Sequence, residues 1–103
     1  MKLYLGDFIS PVTCEKILME ELQKLSPSKQ TFCGLTLAEE NKIYVAKDYK
    51  LIPQEDIFFH ELSHVLLDEL RQYSGEERKA DMLAIRLKNI LRQRGKINSF
   101  CRE

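Results

Sequence analysis

The chain carries no charge imbalance: sixteen Lys and Arg are offset by sixteen Asp and Glu. That balance excludes a globally basic nucleic-acid binder. No apolar run approaches the roughly eighteen residues that cross a bilayer, so membrane insertion is not expected. Charge interrupts Met1–Asp7 too early for a signal segment. Cysteine is scarce and unpaired. Cys14, Cys33 and Cys101 are odd in number, widely spaced and free of any C-x-x-C pair. A disulfide framework is thereby excluded, a reducing cytoplasm is the expected compartment, and Cys14 and Cys33 read as small core residues. At 103 residues there is room for one core and little more, and no repeat or long linker is present. Abundant Lys, Glu and Arg against few Asn hint at a thermophilic source. Histidine is the scarcest chemistry-bearing residue, with two copies in the whole chain.

Both of them fall in one pentapeptide, His60-Glu61-Leu62-Ser63-His64, an H-E-x-x-H motif. On a helix, positions four apart stack on one face, so two imidazoles at that spacing can share one divalent ion. Glu61, one residue along, can then reach a water on that metal and act as general base. The bland alternative is a helix with two exposed histidines beside a glutamate.

A catalytic zinc usually takes three protein ligands, and the sequence decides where the third can come from. A histidine six residues beyond the motif would give a metzincin-like site, but that position is Leu70, and Leu67 stands where the usual glycine would. A glutamate on the next helix is the other arrangement, and Glu77-Arg78-Lys79-Ala80-Asp81 supplies E-x-x-A-D. Glu77 is then the expected ligand, with Glu76 as fallback. Asp81, on the same helix face, would accept the second ring N–H of a ligating histidine and fix its orientation. Ala80 and Ala84 would let the helix approach closely. Ser74-Gly75-Glu76-Glu77 also reads as a capping box, in which Glu77 folds back on the Ser74 amide and binds no metal. The ligand reading is preferred because capping does not need Ala80 and Asp81. It carries a geometric condition. A helix running on to Tyr73 would climb about 13 Å past His64, and the chain from Tyr73 to Glu77 spans at most about 14 Å. The first helix must therefore end near Leu70 or Arg71, leaving Gln72–Gly75 as the reversal.

These residues resemble the gluzincin metallopeptidases, defined by H-E-x-x-H and a glutamate on a second helix. Chain length, HELSH and E-x-x-A-D are most similar to the minigluzincins, relatives of the catalytic domains of integral-membrane peptidases of the CaaX-processing and heat-shock type. The resemblance runs from Lys42–Ala46 to the helix bearing Asp81. It implies a zinc endopeptidase with His60, His64 and Glu77 as ligands, Glu61 as general base and acid, Asp81 behind the ligands, and a peptide or protein substrate. The chain departs from the family in lacking an obvious second subdomain and an assignable oxyanion donor. Tyr49, Tyr73 and Arg78 are near enough in sequence to be considered, but read better as surface or packing residues.

The expected fold is α+β, with a three- to four-stranded sheet, the motif helix, a glutamate-bearing helix and an N-terminal helix. Met1–Leu5 alternates like a short strand. Ser10-Pro11 resembles a helix start, followed by a stripe of Ile17, Leu18, Leu22 and Leu25. Gln30–Leu37 and Lys42–Ala46 read as strands around the turn Glu39-Glu40-Asn41. Pro53 begins the motif helix, with Glu55 and Asp56 at its positive end. Ile43, Tyr44 and Val45 stand under two equal readings: an interior strand, or an exposed edge that pairs with substrate main chain.

Residues 1–95 form the expected catalytic domain, and 96–103 a C-terminal tail. The tail is either a frayed end or an inhibitory segment that makes the chain a latent zymogen, with Phe100, Cys101 and Glu103 as blocking candidates. Arg86, Lys88, Arg92, Arg94 and Lys96 make the last helix basic, which raises a non-catalytic alternative: a regulatory protein binding nucleic acid or a partner. A solvated face is the better reading of that run, no nucleic-acid motif accompanies it, and nucleic acid is not favoured.

Overall fold

Strand β4 (Lys42–Ala46) has buried residues on both faces, and the rest of the fold is arranged around it. The computed structural model describes residues 1–7, 9–26 and 33–103. Among these, β1 (Lys2–Leu3), β2 (Val12–Ile17), β3 (Gly34–Leu37) and β4 form one mixed sheet in the order β1-β2-β4-β3. β2 lies parallel to β4, while β1 and β3 run antiparallel to their neighbours. The α+β class and the four-stranded sheet agree with expectation.

Alternation along β4 builds two cores. Ile43 and Val45 face helix α2 (Gln54–Leu70), where Ile57, Phe58, Leu62 and Val65 meet Leu3, Val12 and Cys14. Tyr44 and Ala46 face the other way, against Leu22 of α1 (Met19–Leu25). Period-2 patterning therefore serves a three-layer packing, with α1 on one side of the sheet and α2, joined by residues of the two helices that follow it, on the other.

The N-terminal helix is shorter than its sequence signals promise, because Val12–Ile17 is strand. Five consecutive residues, Thr13 to Ile17, pair with Lys42 to Ala46, and Val12 and Cys14 are buried on the α2 side. That ladder outweighs the proline signal at Pro11, whose missing N–H costs nothing just before a strand. Of the strand expected over 30–37, only Gly34–Leu37 is strand among the described residues; residues 30–32 lie outside them. The turn after it is a 3₁₀ segment, Ala38–Glu40, closed by Asn41 in the left-handed region at φ 52°.

Helix α2 starts after Pro53 with Glu55 and Asp56 in its first turn, and the Gln54 side-chain amide donates to Ala46 O at 2.8 Å. It ends at Leu70, where the sequence reading puts it. The N–H groups of Arg71, Gln72 and Tyr73 then bond three residues back, to Asp68, Glu69 and Leu70. Gly75, at φ 81°, begins α3 (Glu76–Arg92), and no side chain caps that helix. The capping box that was the alternative reading of Ser74 and Glu77 is not formed.

Arg86 is the principal tie between α2 and α3. Its Nε lies 2.8 and 3.0 Å from the two Glu69 carboxylate oxygens, and its Nη1 donates to Leu5 O at 3.2 Å. The Glu69 carboxylate bonded to it holds the guanidinium above its ordinary pKa. Gly6 passes so close to Arg86 that a Cβ there would strike the guanidinium. Farther along α3, the Gln93 side chain behaves like a strand partner for Tyr4. It accepts from Tyr4 N at 2.8 Å and donates to Tyr4 O at 2.6 Å.

The C-terminal residues form part of the domain. Helix α4 (Arg94–Arg102) spans the boundary expected at Gly95, and buries Ile97 and Phe100 in the α2 core. Phe100 meets Phe58 edge to face at 5.6 Å, and Lys16 Nζ lies 5.5 Å from the Phe100 ring centroid. Lys16 also donates to the Glu103 main-chain carbonyl. Among the described residues no helix is long and apolar enough to cross a membrane.

Candidate functional site

His60, Glu61 and His64 sit midway along α2, on the flank that looks past the sheet edge formed by β3. With Gly34, Leu35, Thr36, Ala38, Asp68 and Arg71 they line one open cleft of about 400 Å³. His60 and His64 are exposed, with ring centroids 4.9 Å apart and planes at 84°. This is the adjacency that a four-residue spacing on a helix provides. Glu61 lines the same cleft on its sheet side and is only 7% exposed.

The carboxylate of Glu61 is fixed by β3. The Thr36 hydroxyl lies 2.8 Å from Glu61 Oε1 and 3.0 Å from Glu61 O, sharing its single proton between them. Gly34 makes room for the same side chain. A Cβ at that position would stand 2.8 Å from Glu61 Cγ, 2.9 Å from Oε2 and 2.9 Å from Ile57 Cγ2. Glu61 is thus wedged between its own helix and a glycine-threonine stretch of strand.

β3 is an edge strand: among the described residues it pairs with β4 alone. The main chain available beside the histidines therefore belongs to Gly34–Leu37. Ile43, Tyr44 and Val45, expected as substrate-pairing candidates, lie in an interior strand already bonded on both sides. Their burial in the two cores is the interior-strand reading.

The remaining expected residues lie elsewhere. Glu77, Asp81 and Glu76 are exposed on the first turns of α3 and do not line the cleft. Among the described residues no group of three or more His, Cys, Asp or Glu is placed to hold a metal ion. The donor set fits a divalent ion at two positions, the His60 and His64 imidazoles, without a third protein donor assembled beside them. Asp68, one turn beyond His64, is the carboxylate that shares the cleft wall, 3.7 Å from Arg71 in an exposed ion pair. Phe100, Cys101 and Glu103 do not line the cleft either. Cys101 is half-buried against the core, and burial pushes its thiol up. The basic run loses Arg86 to the pair with Glu69, which leaves Lys88, Arg92, Arg94 and Lys96 exposed.

Gly34, Thr36, Asp68 and Arg71 were not anticipated. A lone glycine within an apolar strand is a recognised sign of close backbone approach, so Gly34 was detectable. Nothing in the sequence marked Thr36. Compared with protein-family models, curated proteins and solved structures, the chain matches none.

Proposed function

We propose that the cleft on α2 is the active site of a metal-dependent peptide hydrolase, with His60 and His64 as ligands and Glu61 as general base. The observation that carries this reading is the joint presence of His60, Glu61 and His64 in one open cleft beside β3, which among the described residues pairs with β4 alone. Two imidazoles favour zinc among the available divalent ions. Bound there, it would supply Lewis acidity and an acidified water.

The chain's own residues account for the rest. Glu61 takes a proton from a water in the cleft, that water adds to the scissile carbonyl, and Glu61 returns the proton to the departing amine. Water and one peptide bond become a carboxylic acid and an amine. The Thr36 hydroxyl restrains the carboxylate, so little reorganisation is needed when the proton moves. The outer edge of β3 offers main-chain groups to an extended peptide, which gives affinity without side-chain selectivity.

Elemental analysis of protein purified without added metal, paired with a peptide-cleavage assay, tests this reading. About one zinc per chain is expected, lost in His60→Ala and His64→Ala and retained in the inactive Glu61→Gln. Asp68→Ala and Glu77→Ala assign the third donor. A folded wild type that stays empty after zinc is supplied removes the metallopeptidase reading.

A further inference from the structure

Helix α3 buries one side and leaves the other bare in an ordered way. Its buried residues are Arg86 and Ile90, flanked by half-buried Met82, Leu83, Asn89 and Gln93. About 110° round the helix from the buried pair, Ala80, Ala84, Leu87 and Leu91 are all exposed, Leu87 at 46% and Leu91 at 62%. At 3.6 residues per turn these four fall within an arc of about 60°, a straight apolar seam with alternating steps of four and three. Two small residues occupy its N-terminal half and two large ones its C-terminal half.

One flank of the seam carries four exposed charges: Glu77, Asp81, Lys88 and Arg92. None of them forms an ion pair among the described residues. Their order is unfavourable within a single helix. Glu77 and Asp81 are like charges four apart, and so are Lys88 and Arg92.

We propose that this face of α3 is the interface of an antiparallel homodimer, with a second copy of the chain as its occupant. A two-fold axis between Ala84 and Leu87 sets Ala84 against Leu87 of the second copy and Ala80 against Leu91, small against large at each level. The same axis brings Asp81 within about 3 Å along the helix of Lys88 of the second copy, and Glu77 within about 3 Å of Arg92, a stagger that the long cationic side chains span. Both pairings occur twice, as an isologous interface requires. The charge order that repels along one helix becomes attractive across two. A parallel arrangement would set this flank against the other flank of the second helix, where Glu76, Leu83 and Ile90 lie, leaving its cations without counter-charges. It would also oppose small residues to small, so the sequence selects the antiparallel one. Each helix is about 26 Å long, and a contact confined to it is at the small end for stable complexes, so association is expected to be micromolar and reversible. The proposal is independent of the cleft chemistry.

Sedimentation equilibrium on the full chain tests it, with two charge variants. Glu77→Lys with Asp81→Lys makes the flank wholly basic; Lys88→Glu with Arg92→Glu makes it wholly acidic. The wild type is expected to rise from 12.1 kDa towards twice that mass with concentration. Each variant alone should associate at least about tenfold more weakly, and the two mixed should recover a one-to-one heterodimer. A wild type that stays monomeric at about 0.5 mM overturns the proposal, since even a weak contact of this size should populate at that concentration. A mixture that gains nothing over its components also overturns it. Should either variant fail to fold, carbodiimide coupling of mixed light and heavy isotope-labelled wild type provides a second measurement. An interchain Asp81–Lys88 link supports the interface; interchain links confined to other surfaces overturn it.

Discussion

The Thr36 hydroxyl and the Glu61 carboxylate, 25 residues apart in sequence, lie 2.8 Å apart across the groove between β3 and α2. This contact joins the proposed base to the strand proposed to hold substrate. Thr36→Val keeps the shape and removes the donor. Cleavage is expected to fall about tenfold, with metal content unchanged and a stability loss of about 1 kcal/mol, measured by single-turnover assay and urea melt.

Gly34→Ala tests the same carboxylate from the steric side. The added methyl would meet both Glu61 and Ile57 closer than 3 Å, so Glu61 must move. A loss of activity larger than that of Thr36→Val is expected, with about 1–3 kcal/mol of destabilisation from overpacking. Wild-type activity in this variant would mean that the position of Glu61 is not critical.

Arg86 and Glu69 form a nearly buried pair, with side chains 5% and 14% exposed. Arg86→Met alone strands the Glu69 carboxylate and should cost about 3–5 kcal/mol in denaturant unfolding. Arg86→Met combined with Glu69→Leu should recover most of that loss, because the desolvation cost of both charges goes with them. Equal losses in the single and double variants would place the stabilisation in the Arg86 bond to Leu5 O instead.

Burial pushes the Cys14 thiol up from 9.0 to about 12. In the unfolded chain it ionises from pH 9.0 upward, while the folded state keeps its proton, so above that pH the native state binds more protons. Stability is therefore fully present below pH 9 and declines from there towards pH 12, by at most about 4 kcal/mol. Cys101 is shifted in the same direction. Cys14→Ala should flatten the slope between pH 9 and 11 in urea titrations and leave the Cys101 share with the opposing share of Lys16, whose pKa burial lowers.

Phe100 stacks on Phe58 in the α2 core, and this leads to a prediction opposite to that of a blocking tail. Phe100→Ala should destabilise by about 3–5 kcal/mol with no gain in cleavage. A chain ending at Lys96 should unfold at lower urea and not become activated. Activation on truncation would restore the inhibitory reading.

What the sequence disclosed depended on how local each signal was. The bounds of β4 were legible because Lys42–Ala46 is an apolar run between turn residues. The end of α2 at Leu70 agrees with the limit set by chain reach, although Glu77, the residue that the return was to bring back, does not line the cleft. Val12–Ile17 misled because its partner strand lies some thirty residues away, and proline at position 11 is equally compatible with a helix start. Strand order in a sheet is set by such distant pairings, which is why the sequence leaves β4 open between an interior and an edge reading, and only the sheet order puts the edge on β3. Arg86 looked like one of five surface cations since its counter-charge, Glu69, sits on another helix. The histidines and Glu61 were legible because four residues of one helix decide their adjacency. Gly34 and Thr36, which shape the surroundings of Glu61, arrive from a different strand.

Gln93 lends its amide to Tyr4 as though it were another strand, whereas β3 has no comparable substitute among the described residues. The sheet is therefore asymmetric in its capacity to grow. An extended chain arriving from solution finds main-chain partners on the side of the proposed active site and a side chain already in possession on the other. Capture of a substrate and accidental recruitment of an unfolded neighbour then compete for the same four residues. On this arrangement, proteins that aggregate onto the sheet would also silence it, and a short peptide that protects the edge would inhibit turnover while keeping the protein in solution.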